Sequence, residues 1–197
     1  MRSLLAALLL LSLTAHAAPP PPVDQLLANL DAASKRMTSL SGEFTQRNRL
    51  KLFKQELRSK GRMSFHVPRQ IRWEYLEPDP SLLVLDGQKA TLTTPGAPPK
   101  TFDLDRDATM RAIFDQLLLW LGPGSLSRAR ADYDLASAGT AEAPILVLTP
   151  KPTSPVAKAF QRIELRLDPK TFLLRSLLLT EKSGDEKEIT FTKLDRT

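Results

Sequence analysis

The side chains that could carry chemistry in this sequence are few, and their spacing is wrong for most catalysis. There is no cysteine, and there are two histidines, His16 and His66. Without thiols there is no thiolate nucleophile, no Cys-ligated zinc or iron–sulfur cluster, no disulfide framework and no N-terminal Cys for acylation. A nucleophile–His–acid triad or a His-based metal site needs more imidazole than this chain offers. Asp103-Leu104-Asp105-Arg106-Asp107 begins like a calcium loop, but Ala108 and Phe114 stand where such a loop needs its glycine and its bidentate acid. Asp105 or Asp107 is better suited to capping a helix. The pairs Glu74/Glu77 and Glu186/Glu188 are acid–base candidates by type, yet they fall on polar strand faces and turns and read as solvated surface. Neither a Gly-x-Ser-x-Gly elbow nor a phosphate-binding glycine loop occurs. The residues therefore point to a protein that is not an enzyme and holds no metal and no cofactor.

Charge gives a second candidate chemistry. The 197 residues carry a formal net charge of +6, and Lys51, Lys54, Arg58, Lys60, Arg62 and Arg69 concentrate along two consecutive strands. They read first as an ordinary solvated face. The alternative is a docking face for an acidic partner or anionic lipid. Nucleic acid is excluded as a partner, because aromatics are not interleaved with these cations as a stacking platform requires.

The third candidate is apolar binding, and it depends on how the chain is organised. Arg2, the run Leu4 to Leu13 and the small-x-small triplet Ala15-His16-Ala17 form a secretory signal peptide over residues 1–17, cleaved near Ala17-Ala18. That run is too short to span a bilayer, so an exported, soluble protein is expected, with His66 as the one histidine of the mature chain. Residues 18–22, with Pro19 to Pro22, make a stiff extended leader and disordered spacer. Residues 23–197 suffice for one core but would be cramped as two, so one domain is expected.

From Val23 to Leu40 the apolar positions Val23, Leu26, Leu27, Leu30, Ala33, Met37 and Leu40 recur at helical spacing, and Ser41-Gly42 is read as the stop. The period then changes to two. Even positions carry Phe44, Gln46, Asn48, Leu50 and Leu52. Odd positions of the next segment carry Leu57, Ser59, Gly61, Met63, Phe65 and Val67, opposite Arg58, Lys60, Arg62, Ser64 and His66. Ile71, Trp73 and Tyr75 share a face. Leu82 to Leu85 runs into the hairpin signal Asp86-Gly87, and Pro95-Gly96-Ala97-Pro98-Pro99 makes a further turn. Such alternation describes antiparallel strands with one dry and one wet face.

A second helix interrupts the strands, with the stripe Met110, Ile113, Phe114, Leu117, Leu118 and Leu121 and the stop Gly122-Pro123-Gly124. Ser125 to Arg130 adds a short helical turn. Strands resume at Tyr133, Ile145, Arg162, Phe172 and Glu188, for about ten or eleven strands in all. A long antiparallel meander curls, and its apolar face must be covered. The expectation is a mainly β fold with α: a curved antiparallel sheet forming an incomplete β-barrel covered by a helical lid. Periodicity leaves open whether the apolar residues meet each other or a ligand.

Five segments, in order, resemble a known family. They are Ser41-Gly42-Glu43-Phe44-Thr45-Gln46, Gly61 to Pro68, Ile71-Arg72-Trp73-Glu74-Tyr75-Leu76-Glu77-Pro78, Leu82-Leu83-Val84-Leu85-Asp86-Gly87 and Leu146-Val147-Leu148-Thr149-Pro150-Lys151. Phe191 fits the closing strand. Together they are similar to the periplasmic outer-membrane lipoprotein carriers, the LolA-like family, over almost the whole mature chain. The resemblance implies a half-barrel whose hydrophobic cavity holds acyl chains. It also implies a monomer that shuttles lipoproteins through the periplasm from an inner-membrane ABC exporter to an outer-membrane receptor.

On that resemblance Phe44, Met63, Phe65, Ile71, Trp73 and Leu83 line the cavity, with Val67, Tyr75 and Leu85 from the strands and Phe114, Leu117, Leu118 and Leu121 from the second helix. Two departures stand out. The family typically has an inward arginine tying sheet to lid immediately before the proline matching Pro68, where this chain has Val67. The chain also stops at Thr197, without the C-terminal extension of some carriers. A carrier of another lipid for a specialised exporter, and an envelope sensing or interaction domain with a filled core, remain as alternatives.

Overall fold

The computed structural model describes residues 18–35, 37–122 and 126–197. The signal peptide expected over residues 1–17 lies outside the described residues. Helix α1 spans Val23–Ser34, and a meander follows: β1 Ser39–Leu50, β2 Gln55–His66, β3 Gln70–Glu77, β4 Ser81–Asp86, β5 Lys89–Thr93 and β6 Lys100–Asp103. Helix α2, Ala108–Leu121, and a 3-10 turn at Leu126–Ala131 lead to a second meander. Its strands are β7 Tyr133–Gly139, β8 Pro144–Pro150, β9 Phe160–Leu167, β10 Leu174–Glu181 and β11 Glu186–Arg196.

All eleven strands form one antiparallel sheet in the order β6-β5-β4-β3-β2-β1-β11-β10-β9-β8-β7. The first and last strands meet in its middle, where Phe44 lies opposite Phe191. The sheet does not close, and β6 and β7 remain as its two edges. The chain between those edges contains α2, so the crossing from one edge to the other lays that helix over the apolar face.

Register explains why that face is continuous. Leu40 pairs with Phe65, Phe65 with Ile71, Ile71 with Leu85 and Leu85 with Ala90, so one row of buried side chains crosses five strands. Side chains alternate strictly in antiparallel pairing. Met63, Trp73 and Leu83 therefore form the next row on the same face. The opposite face carries charge in matching register. Arg47 is bonded to Glu188 and Arg49 to Glu186, Lys60 lies 2.9 Å from Glu77, and Arg62 lies 2.6 Å from Glu74. The Arg62 hydrogen bond is the main cause holding the Glu74 carboxyl below its ordinary range.

Three sequence expectations need correction. The first helix ends at Ser34, not Leu40, and Ser41-Gly42 lies inside β1. Met37 and Leu40 are buried, as the stripe required, but the sheet competes for the backbone beside them. The amides of Thr38 and Ser39 donate to the Thr197 carbonyl at 2.7 and 3.0 Å, and Thr197 N–H donates back to Ser39 at 3.1 Å. The tenth strand starts at Leu174, because Phe172 turns with a positive φ of 55°. The leader is not a free spacer along its whole length: the Ala18 carbonyl accepts from Ala141 N–H at 3.1 Å, across the β7–β8 turn. At the start of α2, Asp107 is the cap, its side chain accepting from Met110 N–H at 2.9 Å.

Gly61 marks the tightest point of the sheet. A Cβ there would sit 2.2 Å from the Glu74 carbonyl oxygen and 2.4 Å from the Phe44 ring, so only glycine lets that ring lie flat on β2. Gly61→Ala is expected to destabilise the fold by about 1–3 kcal/mol through overpacking, read as a lower midpoint in urea unfolding. An unchanged midpoint would show that Phe44 can repack at no cost.

Candidate functional site

The candidate site is the covered apolar face. Its centre is aromatic: the Phe44 ring lies 4.5 Å from Trp73 in a tilted pair and 5.4 Å from Tyr75 edge-on, while Trp73 meets Phe191 edge-on at 6.2 Å. Such offset and edge contacts are the favoured aromatic geometries. Strand alternation brings Met63, Phe65, Ile71 and Leu85 around this cluster. The lid adds Leu26, Leu27 and Leu30 from α1 and Phe114 and Leu121 from α2, all buried in the same core.

Of the residues singled out from the sequence, Phe44, Met63, Phe65, Ile71, Trp73, Leu85, Phe114 and Leu121 are buried together. Tyr75, Leu83, Leu117 and Leu118 are half-buried and pack against them. Val67 is not brought in. It lies just past the end of β2, is 41% exposed, and lines an outer cleft at the seam between sheet and α2 with Arg69, Asp115 and Leu118. Alternation stops being a guide to facing where the strand stops, and β2 ends at His66. The sequence reading also missed half of the site. Leu146, Leu148, Ile163, Leu165 and Leu167 from the second meander complete the same core. β9 alternates as clearly as the first meander while β8 is a continuous apolar run from Ile145 to Leu148, but nothing local says the two meanders share one concave face.

Few polar groups interrupt the apolar surface. The Tyr75 hydroxyl donates to Gln46 Oε1 at 2.8 Å, and Gln46 Nε2 donates to Asn48 Oδ1 at 3.1 Å. Burial pushes the Tyr75 phenol up, which keeps its proton in place as a donor. Tyr133, buried at the start of β7, donates to Gln116 on α2, and its phenol too is pushed up by burial.

The lid is fastened at its rim. Arg69 Nη2 reaches Asp115 Oδ1 on α2 at 3.4 Å, Tyr133 holds Gln116, and Arg130 is bonded to Asp24 of α1. These fastenings are incomplete, since Arg69 Nε and Trp120 Nε1 are buried without a hydrogen-bond partner among the described residues. The outer cleft beside Val67, Arg69 and Leu118 holds ≈ 540 Å³, but closure is tight at the C-terminal ends of the helices. The pocket between the C-terminal ends of both helices and strands β9 and β10, lined by Leu30, Leu40, Trp120, Leu165 and Leu174, holds ≈ 50 Å³ of free space. A small-ligand site encloses roughly 300–1,000 Å³.

An open antiparallel sheet with an apolar concave face, closed by two separately fastened helices, defines a half-barrel with a lid. Residues 35–197 match the family model described as outer membrane lipoprotein carrier protein LolA, and the chain belongs to that family. An outer-membrane lipoprotein carrier protein of Dechloromonas aromatica (strain RCB) is 29% identical over 188 residues, 95% of this chain and 82% of that one. A protein of the same name from Xanthomonas oryzae pv. oryzae (strain MAFF 311018) is 38% identical over 66 residues, 34% of this chain and 32% of its own length. The match thus spans about a third of that relative. The solved MucA/MucB complex of Pseudomonas aeruginosa aligns with a TM-score of 0.50 at 21% identity, covering 88% of this chain and 56% of that one, a likeness of fold.

The seam makes a direct prediction. Arg69→Met, which keeps the apolar stem and removes the bond to Asp115, is expected to speed amide hydrogen exchange along α2. Global stability should change by less than about 1 kcal/mol, as for other exposed ion pairs. Unaltered exchange in α2 would show that this pair does not fasten the lid.

Proposed function

We propose that this protein carries acyl chains, those of a lipoprotein anchor, between the lid and the concave sheet, and that it does so in the periplasm. The observation that carries the reading is the single continuous apolar face, supplied by both meanders and both helices of a chain in the lipoprotein carrier family. Each acyl methylene exposed to water costs about 0.8 kcal/mol, so a triacylated anchor faces on the order of 30 kcal/mol or more. An aqueous crossing needs a surface that replaces most of that burial.

Phe44, Met63, Phe65, Ile71, Trp73, Tyr75, Leu83 and Leu85 form the wall in this reading, and Phe114, Leu117, Leu118 and Leu121 form the lid. Because the closed interior is filled by side chains, cargo must exchange places with the lid's own leucines. The exchange swaps one apolar contact for another, so its net free energy is far smaller than either burial taken alone. Arg69 and Asp115 supply on this chain a sheet-to-lid bond, beside Val67. Collection from an inner-membrane ABC exporter and delivery to an outer-membrane receptor complete the proposed route. A filled interior is also what an envelope interaction domain would show, and this second reading differs in one respect: its lid would have no reason to open.

The absence of native cysteine allows a clean test. The double variant Arg69→Cys/Asp115→Cys, joined by a short bis-maleimide, is expected to lose uptake of a fluorescent fatty acid that the unjoined variant retains. Uptake that survives the cross-link would place entry elsewhere, and failure of the wild-type protein to bind either the probe or an acylated lipopeptide would sink the carrier reading. Location is tested separately. A brominated acyl chain should quench tryptophan emission in the wild type, and Trp73→Phe, with Trp120 remaining, should lose Trp73's share while still binding. Undiminished quenching in Trp73→Phe would move the acyl chain away from the aromatic centre.

A further inference from the structure

The β1–β2 hairpin ends in a turn whose composition does not serve the fold. Lys51-Leu52-Phe53-Lys54 is closed by Lys54 N–H donating to the Lys51 carbonyl at 3.4 Å, which sets Leu52 and Phe53 at the two central positions. Turns favour Gly, Asn, Asp, Pro and Ser there, as Gly87-Gln88 between β4 and β5 and Ser183-Gly184 between β10 and β11 illustrate. Here the apex is apolar and unburied, with Leu52 84% and Phe53 70% exposed. Lys54 even adopts a positive φ of 49° to complete it, a conformation unfavourable for a side-chain-bearing residue.

The hairpin also extends past the sheet on its β3 side, while on the other side β1 stays beside β11 and Lys51 N–H donates to Asp185 Oδ1 at 2.9 Å. Pairing with β3 ends at Lys60–Glu77 and pairing with β11 ends at Arg49–Glu186. At about 3.3 Å per residue, the stretch from Gln55 to Ser59 overhangs β3 by roughly 16 Å. Leu57, on the concave side of this overhang, is exposed as well.

Charge decides what such a tip fits. Of the basic residues on these strands, Arg58, Lys60, Arg62 and Arg69 are all engaged by carboxylates. Lys51 and Lys54 flank the apex, and neither ammonium group is in an ion pair among the described residues; the Asp185 carboxylate beside them is taken up by Lys51 N–H at 2.9 Å. A convex tip with two apolar side chains between two unneutralised ammonium groups matches an anionic bilayer surface. The apolar pair enters below the headgroups while the lysines, on flexible stems, meet the phosphates. A protein partner would need a complementary pocket and acid pair, and nothing about the tip requires so specific a shape.

We infer that the β1–β2 hairpin tip docks this protein on anionic phospholipid surfaces, with Leu52 and Phe53 inserted and Lys51 and Lys54 at the phosphates. This goes beyond the carrier reading and does not rest on it, because the tip lies at the far end of β2 from the lid seam. The test is co-sedimentation of the purified protein, wild type and variants alike, with vesicles of phosphatidylglycerol and phosphatidylethanolamine, against vesicles of phosphatidylcholine.

Wild type should partition onto the anionic vesicles in a salt-sensitive manner. Leu52→Ser/Phe53→Ser and Lys51→Glu/Lys54→Glu should each weaken that binding about tenfold or more, since one lysine alone contributes about fivefold at such a surface. Fatty-acid probe uptake should be unchanged in both. Phe53→Trp should add emission that shifts to the blue on anionic vesicles only. The inference is overturned if wild type does not bind the anionic vesicles, or if binding survives both double substitutions. It is equally overturned if the tip substitutions spare vesicle binding and abolish capture of a protein partner.

Discussion

An eleven-stranded sheet with one apolar face cannot stand bare in water, and it cannot hide that face by closing, because β6 and β7 do not pair. Covering the face from outside the sheet is the constraint the rest of the molecule answers. The topology supplies the cover at little entropic cost. Both meanders are built from local hairpins, and the one long traverse, from the β6 edge to the β7 edge, must pass over the concave side. Placing an amphipathic helix in that traverse puts Phe114 and Leu121 onto the face. The chain enters from α1, whose Leu26, Leu27 and Leu30 fill the remainder. The central pairing of β1 with β11 fixes both meanders relative to each other, so the two halves of the face become one surface.

A cover made this way differs from a core helix. It is held by apolar packing over its underside and by a handful of polar bonds at its rim, Arg69 to Asp115, Tyr133 to Gln116 and Arg130 to Asp24. Sheet strands are held by ladders of backbone hydrogen bonds, which resist separation cooperatively, whereas a helix keeps its own ladder when it lifts. Movement of α2 therefore costs side-chain contacts and leaves backbone bonding intact.

Much of this was legible in the sequence, and what was not follows a physical pattern. Period-two alternation marked the first three strands, apolar runs and turn signals marked the others, and helical spacing with an Asp cap marked α2, because all are set by near neighbours along the chain. The end of α1 was misread because Met37 and Leu40 fall at helical spacing while being buried by a turn and a strand. Only the hydrogen bonds from Thr38 and Ser39 to Thr197, at the other end of the chain, decide the matter. Val67 continued the alternation of β2 by one step too many. Leu146, Leu148, Ile163, Leu165 and Leu167 were readable as strand interiors but not as members of the same site, since that depends on β1 pairing with β11. The Arg69–Asp115 bond joins residues on a turn and a helix, a relation no local pattern encodes.

The polar trio of Tyr75, Gln46 and Asn48 sets where the apolar surface ends on the first meander. Toward the lid, the rows through Leu40, Phe65 and Ile71 and through Met63, Trp73 and Leu83 are apolar from β2 to β5. Two steps further along β1, past Phe44, Gln46 is buried and hydrogen-bonded on both sides, and beyond it Leu57 is exposed. Sliding an apolar occupant past Gln46 would strip a buried amide and a phenol of their partners without replacing them, a penalty comparable to the burial of a side chain. On the first meander the apolar stretch thus gives way to a polar one, while on the second the same row continues through the buried Ile189, Leu177, Leu165 and Leu146. Anything bulkier than the existing side chains can be accommodated only by raising the helices, and the rim bonds to α2 and α1 become the point at which occupancy of the interior is felt.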